Sequence, residues 1–131
     1  MKNLHIWYMI PPFPAILIIA LFLIILDAIY IGINKNTFSL QIVDVQRVSL
    51  QLKPVGVVVV YAFIIFALYW FIIREKKSVY QAFLLGLVIY AVYDFTSYAL
   101  LKKWRLDIAI MDTLWGGALF ALATYFTYQI L

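Results

Sequence analysis

The sequence has no cysteine, one histidine and little charge. Without cysteine, disulfides, thiolate catalysis and cysteine-held iron–sulfur clusters are excluded. The single histidine, His5, precedes the first long apolar run. A zinc site of the H-E-x-x-H kind is therefore excluded as well. Glycine is sparse, at five residues, and none forms a phosphate-cradling loop. Charged residues are 12% of the chain, against about 25% in an ordinary globular domain.

What fills the chain instead is apolar. Hydrophobic residues are 67% of the 131 and the mean hydropathy is +1.03, while a soluble domain is about 45–50% apolar. Four runs, about 14–33, 54–73, 79–101 and 106–130, each supply the roughly 20 apolar residues that a spanning helix needs. They predict an all-α membrane protein, a four-helix antiparallel transmembrane bundle forming one membrane domain over residues 1–131. The run Val57–Val60 is β-branched, but a lone strand in lipid leaves its backbone unsatisfied, so a helix is expected there too. The first run is too long for a signal-peptide core and lacks a small-residue cleavage site, so it is expected to be retained.

Residues 1–13 are expected to form an interfacial arm, with Trp7 and Tyr8 at headgroup level. Interior helix cannot contain the PPFP stretch, which places the first helical residue at Pro14. Residues 34–53 mix apolar and polar side chains. Val43, Arg47 and Leu50 share a helical face, whereas Leu50 and Leu52 alternate as in a strand. This segment is expected to lie at the interface, in either form.

The net charge of +4 comes from basic residues clustered at span ends. Snorkelling and anionic headgroups account for such a cluster, and no nucleic-acid partner is implied. Lys2, Arg74, Lys76 and Lys77 fall on the side of the termini. Lys35, Arg47, Lys53, Lys102, Lys103 and Arg105 fall opposite. The excess of Lys and Arg on the second side places the termini outside.

Three aspartates interrupt the apolar runs: Asp27, Asp94 and Asp112. A carboxylate at a helix centre costs about 2.5–3.5 kcal/mol on insertion scales, and intramembrane acids face a bundle interior or a cavity. At a rise of about 1.5 Å per residue, all three lie roughly 9–11 Å inside the same interface. Their helical neighbours form the rest of the candidate site. Tyr90, Asp94 and Ser97 share one face, Asp112, Trp115 and Gly116 a second, and Asp27 and Tyr30 a third. Thr113, Gly117 and Ala121 add a stripe that permits close helix approach. The pattern D-x-φ-aromatic-x-G occurs twice, at Asp27–Gly32 and Asp112–Gly117. Tyr61, Tyr69, Trp70, Tyr125 and Tyr128 read as belt or packing residues, Asp44 and Glu75 as surface charges, and Asp107 as a solvated partner of Arg105.

The stretch AVYDFTSYALLKKWRLDIAIMDTLWGG resembles the uncharacterised membrane-protein family called domain of unknown function 2177. The likeness rests on Asp27, on Tyr93-Asp94-Phe95-Thr96, and on Asp112, Trp115 and Gly116. Ser97 stands where Asn is usual in that family, and Tyr30 where Trp is usual. The resemblance covers roughly residues 14–125. It implies four spans and a membrane location, and it adds Tyr93 and Thr96 to the residues supporting the site. It supplies no established activity. Its members are mainly bacterial, with some in large DNA viruses, so a bacterial inner membrane or a viral or host membrane is expected.

Low dielectric and mutual repulsion work against three simultaneous charges. Such a cluster is suited to exchange protons, or to hold a hard cation. The expected function is therefore proton- or cation-coupled transport, in a homo-oligomer because four helices enclose little space. The alternative is a non-catalytic component of a larger membrane assembly, with membrane or capsid proteins and lipids as partners. No nucleophile pair or cofactor motif accompanies the acids, so neither an enzyme nor a cofactor is expected.

Overall fold

The computed structural model describes residues 12–47 and 53–131. Most of the expected arm, and the segment 48–52, lie outside the described residues. All regular structure among the described residues is helical: α1 (Pro12–Ile33), α2 (Lys35–Gln46), α3 (Pro54–Leu68), a π-helical turn (Tyr69–Ile73), α4 (Val79–Leu100) and α5 (Leu106–Ile130). Four are long and apolar enough to cross a membrane, the α3 span including the π turn.

The helices begin and end where local chemistry requires it. α1 starts at Pro12, two residues earlier than expected. Pro12 and Pro14 both fall in the first turn, where the backbone N–H groups have no acceptor, so prolines there forfeit no hydrogen bond. α4 opens on a reciprocal cap: Ser78 Oγ accepts from the Gln81 N–H, and Gln81 Oε1 accepts from the Ser78 N–H. The π turn widens the end of the α3 span. There the Arg74 N–H bonds to Tyr69 C=O at 2.8 Å and the Lys77 N–H to Ile72 C=O at 2.9 Å. The Arg74 guanidinium lies 4.0 Å from the Trp70 ring centroid, a cation–π contact at the membrane edge.

The last helix in sequence is the central one in space. α5 packs most extensively on α4 and next on α1, while α3 leans on α1. The reason is its run of small residues. Gly116, Gly117, Ala123, Thr124 and Thr127 are all buried, and small residues let helix backbones approach closely. At the closest approach, a Cβ added to Gly86 of α4 would overlap the Gly116 carbonyl oxygen, and one on Gly116 would overlap the Tyr90 ring. The core is completed by Ile19 and Leu23 from α1, Ile64 and Leu68 from α3, and Phe120 from α5. The α3 span leaves Val58, Val60, Phe63 and, in its π turn, Phe71 exposed, as befits a wall against lipid.

The segment after α1 resolves as a helix, α2. Its inward face is Phe38, Gln41, Ile42 and Val45, at i, i+3, i+4 and i+7, rather than Val43 and Arg47, which are exposed.

Candidate functional site

Two of the aspartates are tied into a crossed clasp between α1 and α5. Trp115 on α5 donates from Nε1 to Asp27 Oδ1 on α1, at 3.1 Å. Tyr30 on α1 donates from its hydroxyl to Asp112 Oδ1 on α5, also at 3.1 Å. The two rings stack, with centroids 4.6 Å apart and planes 6° off parallel. This crossing follows from the repeated D-x-x-aromatic spacing on antiparallel helices. Helical side chains lean toward their own N-terminus. On α1 that direction is away from the α2 side, and on α5 it is toward it. Each aromatic, one turn beyond its own aspartate, therefore leans back to meet the aspartate of the other helix. The second oxygen of Asp27 accepts from the hydroxyl of Tyr61 on α3. Asp27 thus joins three helices and has both oxygens bonded.

Asp94 is different. It is 1% exposed, and neither carboxyl oxygen meets a donor among the described residues. The side chain set against it is the carboxyl of Asp112. The ion pairs among the described residues are Arg74–Glu75 and Arg105–Asp107, so neither aspartate of this pair has a cation beside it. Both acids stand in the wall of a cavity of about 310 Å³, together with Asp27, Tyr30, Tyr90, Tyr93, Phe38 and Trp104. The Trp104 indole N–H is buried and has no acceptor among the described residues.

α2 lies over this cavity, contributing Phe38, Gln41 and Ile42 to its wall. Gln41 ties it to the turn between α4 and α5. Gln41, 2% exposed, donates from Nε2 to the Lys103 carbonyl at 2.8 Å and accepts at Oε1 from the Arg105 N–H at 3.0 Å. A buried amide needs both partners, and the turn between α4 and α5 supplies them.

Most of the residues singled out from sequence gather here. Asp27, Asp94, Asp112, Tyr30, Tyr90 and Tyr93 line the cavity. Trp115 holds Asp27 from behind, and Gly116 makes room for the Tyr90 ring. Two do not join them: Thr96 is exposed on the outer face of α4, and Ser97 is half-buried outside the cavity wall. Thr96 is only two residues from Asp94, about 200° around a helix, so it cannot share its face. Tyr61, read as a packing residue, is a direct partner of Asp27. Its depth gave the signal, since it lies seven residues after Pro54, roughly 10 Å in by helical rise, level with the acids. Gln41 was legible only through the helical period of α2.

Four helices able to span a membrane, with carboxyls gathered between them, define a polytopic integral membrane protein. The chain belongs to the DUF2177 family, described as predicted membrane proteins, whose model matches residues 13–129. No curated protein and no solved structure matches it.

Proposed function

We propose that the protein is a proton- or cation-coupled membrane carrier whose working group is the Asp94–Asp112 pair. One observation carries this reading. Asp94 is buried against a second carboxyl, without a donor or a cation among the described residues. Two carboxyls can hydrogen-bond to each other only when one holds a proton. The pair therefore calls for positive charge from outside, as a proton or as a bound cation. Asp27 is not part of that exchange, because its two oxygens already accept from Tyr61 and Trp115. We assign the protein no enzymatic role, and a homo-oligomer would supply the wider pathway that four helices do not enclose.

Proton uptake into liposomes under an imposed potential, followed with an internal pH dye, tests the carrier. Wild type should carry protons, and Asp94→Asn should fall to the leak of protein-free vesicles. Equal rates for the two would refute the assignment. The second reading, a structural component of a larger membrane assembly, draws on Asp27, whose fully bonded carboxyl ties three helices without exchanging anything. It would prevail if wild type and variant both showed only leak.

The termini are proposed to lie outside, from the excess of Lys and Arg at the α1–α3 and α4–α5 connections. With no native cysteine to interfere, Lys102→Cys reports topology directly. It should resist an impermeant maleimide in intact cells and react after lysis. Labelling in intact cells would reverse the orientation.

A further inference from the structure

The Asp94–Asp112 pair asks for positive charge, and the walls around it say which kind. Among the described residues no three acidic or histidine side chains converge as metal ligands. Both oxygens of Asp27 already accept, from Tyr61 and from Trp115. The remaining walls are mostly aromatic, with Tyr30, Tyr90, Tyr93, Phe38 and Trp104, and Ile31, Ile42 and the amide-bonded Gln41 complete them. Ring faces attract organic cations, and aromatic cages are a recurrent way of recognising alkylammonium groups. Size points the same way. A cavity of about 310 Å³ is at the lower end for small organic ligands, roughly 300–1,000 Å³, and far larger than a dehydrated ion requires. The wall also holds a buried donor without an acceptor, the Trp104 N–H. An ammonium cannot satisfy it, because it has no lone pair to offer. An oxygen carried on the same ligand can.

From this juxtaposition we infer that the cavity binds a small alkylammonium bearing an oxygen acceptor, its cationic end at Asp94 and Asp112 and its oxygen at the Trp104 N–H. The inference rests on the reading of the acid pair as open to external positive charge. Amino alcohols have this chemistry, and so do the headgroups of zwitterionic phospholipids. α2 lies over the site at the end of the bundle, within reach of headgroups.

Tryptophan emission supplies the assay, since Trp104 and Trp115 lie at the site. Protein in lipid-free detergent is titrated with choline and with ethanolamine, and with 3,3-dimethylbutan-1-ol as the uncharged isostere of choline. At least one amine should give a saturable change and the isostere none. Asp94→Asn should weaken amine binding by about tenfold or more, the weight of one hydrogen bond or contact to a charged group. Asp44→Asn, on the exposed face of α2, should leave it unchanged, and circular dichroism confirms that both variants fold. Trp104→Phe keeps a ring and removes the N–H. It should weaken ethanolamine while sparing tetramethylammonium, which has no oxygen, with Trp115 emission as the readout. Equal binding of the isostere, or unchanged binding by Asp94→Asn, would overturn the inference. Nanodiscs separate the two sources. A response to free amine in phosphatidylglycerol discs that disappears in phosphatidylethanolamine discs identifies a headgroup site. A response in both identifies a soluble amine, and none in either overturns the proposal. Proton uptake in amine-free vesicles stands apart: if it persists while no amine binds, only the ligand assignment fails. If amine binds without proton uptake, the pair is a cation site and the proton reading fails instead.

Discussion

Asp27→Leu is expected to destabilise the bundle by about 2–4 kcal/mol, while Asp94→Asn is expected to leave it unchanged or make it more stable. The two acids lie at similar depth and are both buried, so burial alone predicts equal effects. Their partners separate them. Removing the Asp27 carboxyl leaves the Tyr61 hydroxyl and the Trp115 N–H without an acceptor. Each stranded donor costs about 1–3 kcal/mol. The range is set below the sum because polar contacts in membranes average only about 0.6 kcal/mol, unfolded spans finding other partners in lipid. Asp94 has no donor to strand, and amidation removes a buried acid set against another. Unfolding in mixed detergent micelles measures both variants. Non-additivity provides the control: in a Tyr61→Phe, Trp115→Phe background, Asp27→Leu should cost much less than in wild type, because its donors are already gone. Similar shifts for Asp27→Leu and Asp94→Asn would show that the bonds to Asp27 are not what hold the helices.

An effect of similar size is expected at Gly86. Its Cβ would overlap a backbone atom, the Gly116 carbonyl oxygen, and would crowd Phe120 Cγ at 2.7 Å. A crowded side chain can rotate away, but a carbonyl in a helix moves only with the helix. Overpacking costs about 1–3 kcal/mol where side chains can give, so Gly86→Val should reach or exceed the top of that range by forcing α4 off α5. Asp94 and Asp112 sit on those two helices, so the pair should part along with the interface. Gly56→Val is the matched control, since nothing lies within 4 Å of its added Cβ, and it should be nearly neutral. Thermal unfolding in detergent compares them. A Gly86→Val protein as stable as Gly56→Val would mean that the helices do not touch at this point.

The four spans were legible because lipid leaves the backbone few options: a long apolar run must be a helix. Depth was legible for the same reason, since helical rise converts sequence distance into ångströms along the membrane normal. That arithmetic put Asp27, Asp94 and Asp112 on one level. It did not distinguish their roles. Asp27 is bonded through Tyr61, a residue of α3, and nothing in the local pattern around Tyr61 names a partner 34 positions away. Lateral order was not legible either. Which helix lies at the centre depends on Gly86, Gly116 and Gly117 meeting rings and backbone across an interface. The stripe of Thr113, Gly117 and Ala121 pointed to the right helix without indicating its neighbour. The form of residues 34–53 is not legible in the sequence, because Val43 and Arg47 mark an exposed face of α2, while its inward face carries the polar Gln41 between Phe38 and Ile42.

The anchor at Gln41 has a consequence for what evolution is free to alter. Gln41 recognises the α4–α5 turn through a carbonyl of Lys103 and an amide of Arg105, atoms that every residue except proline supplies alike. The side chains of Lys102, Lys103 and Arg105 are all exposed and take no part in that grip. The cover over the carboxyls is thus indifferent to the spelling of the turn and sensitive only to its path. Its basic residues can vary to suit the headgroups of whatever membrane the protein inhabits, and α2 keeps its place in the cavity wall.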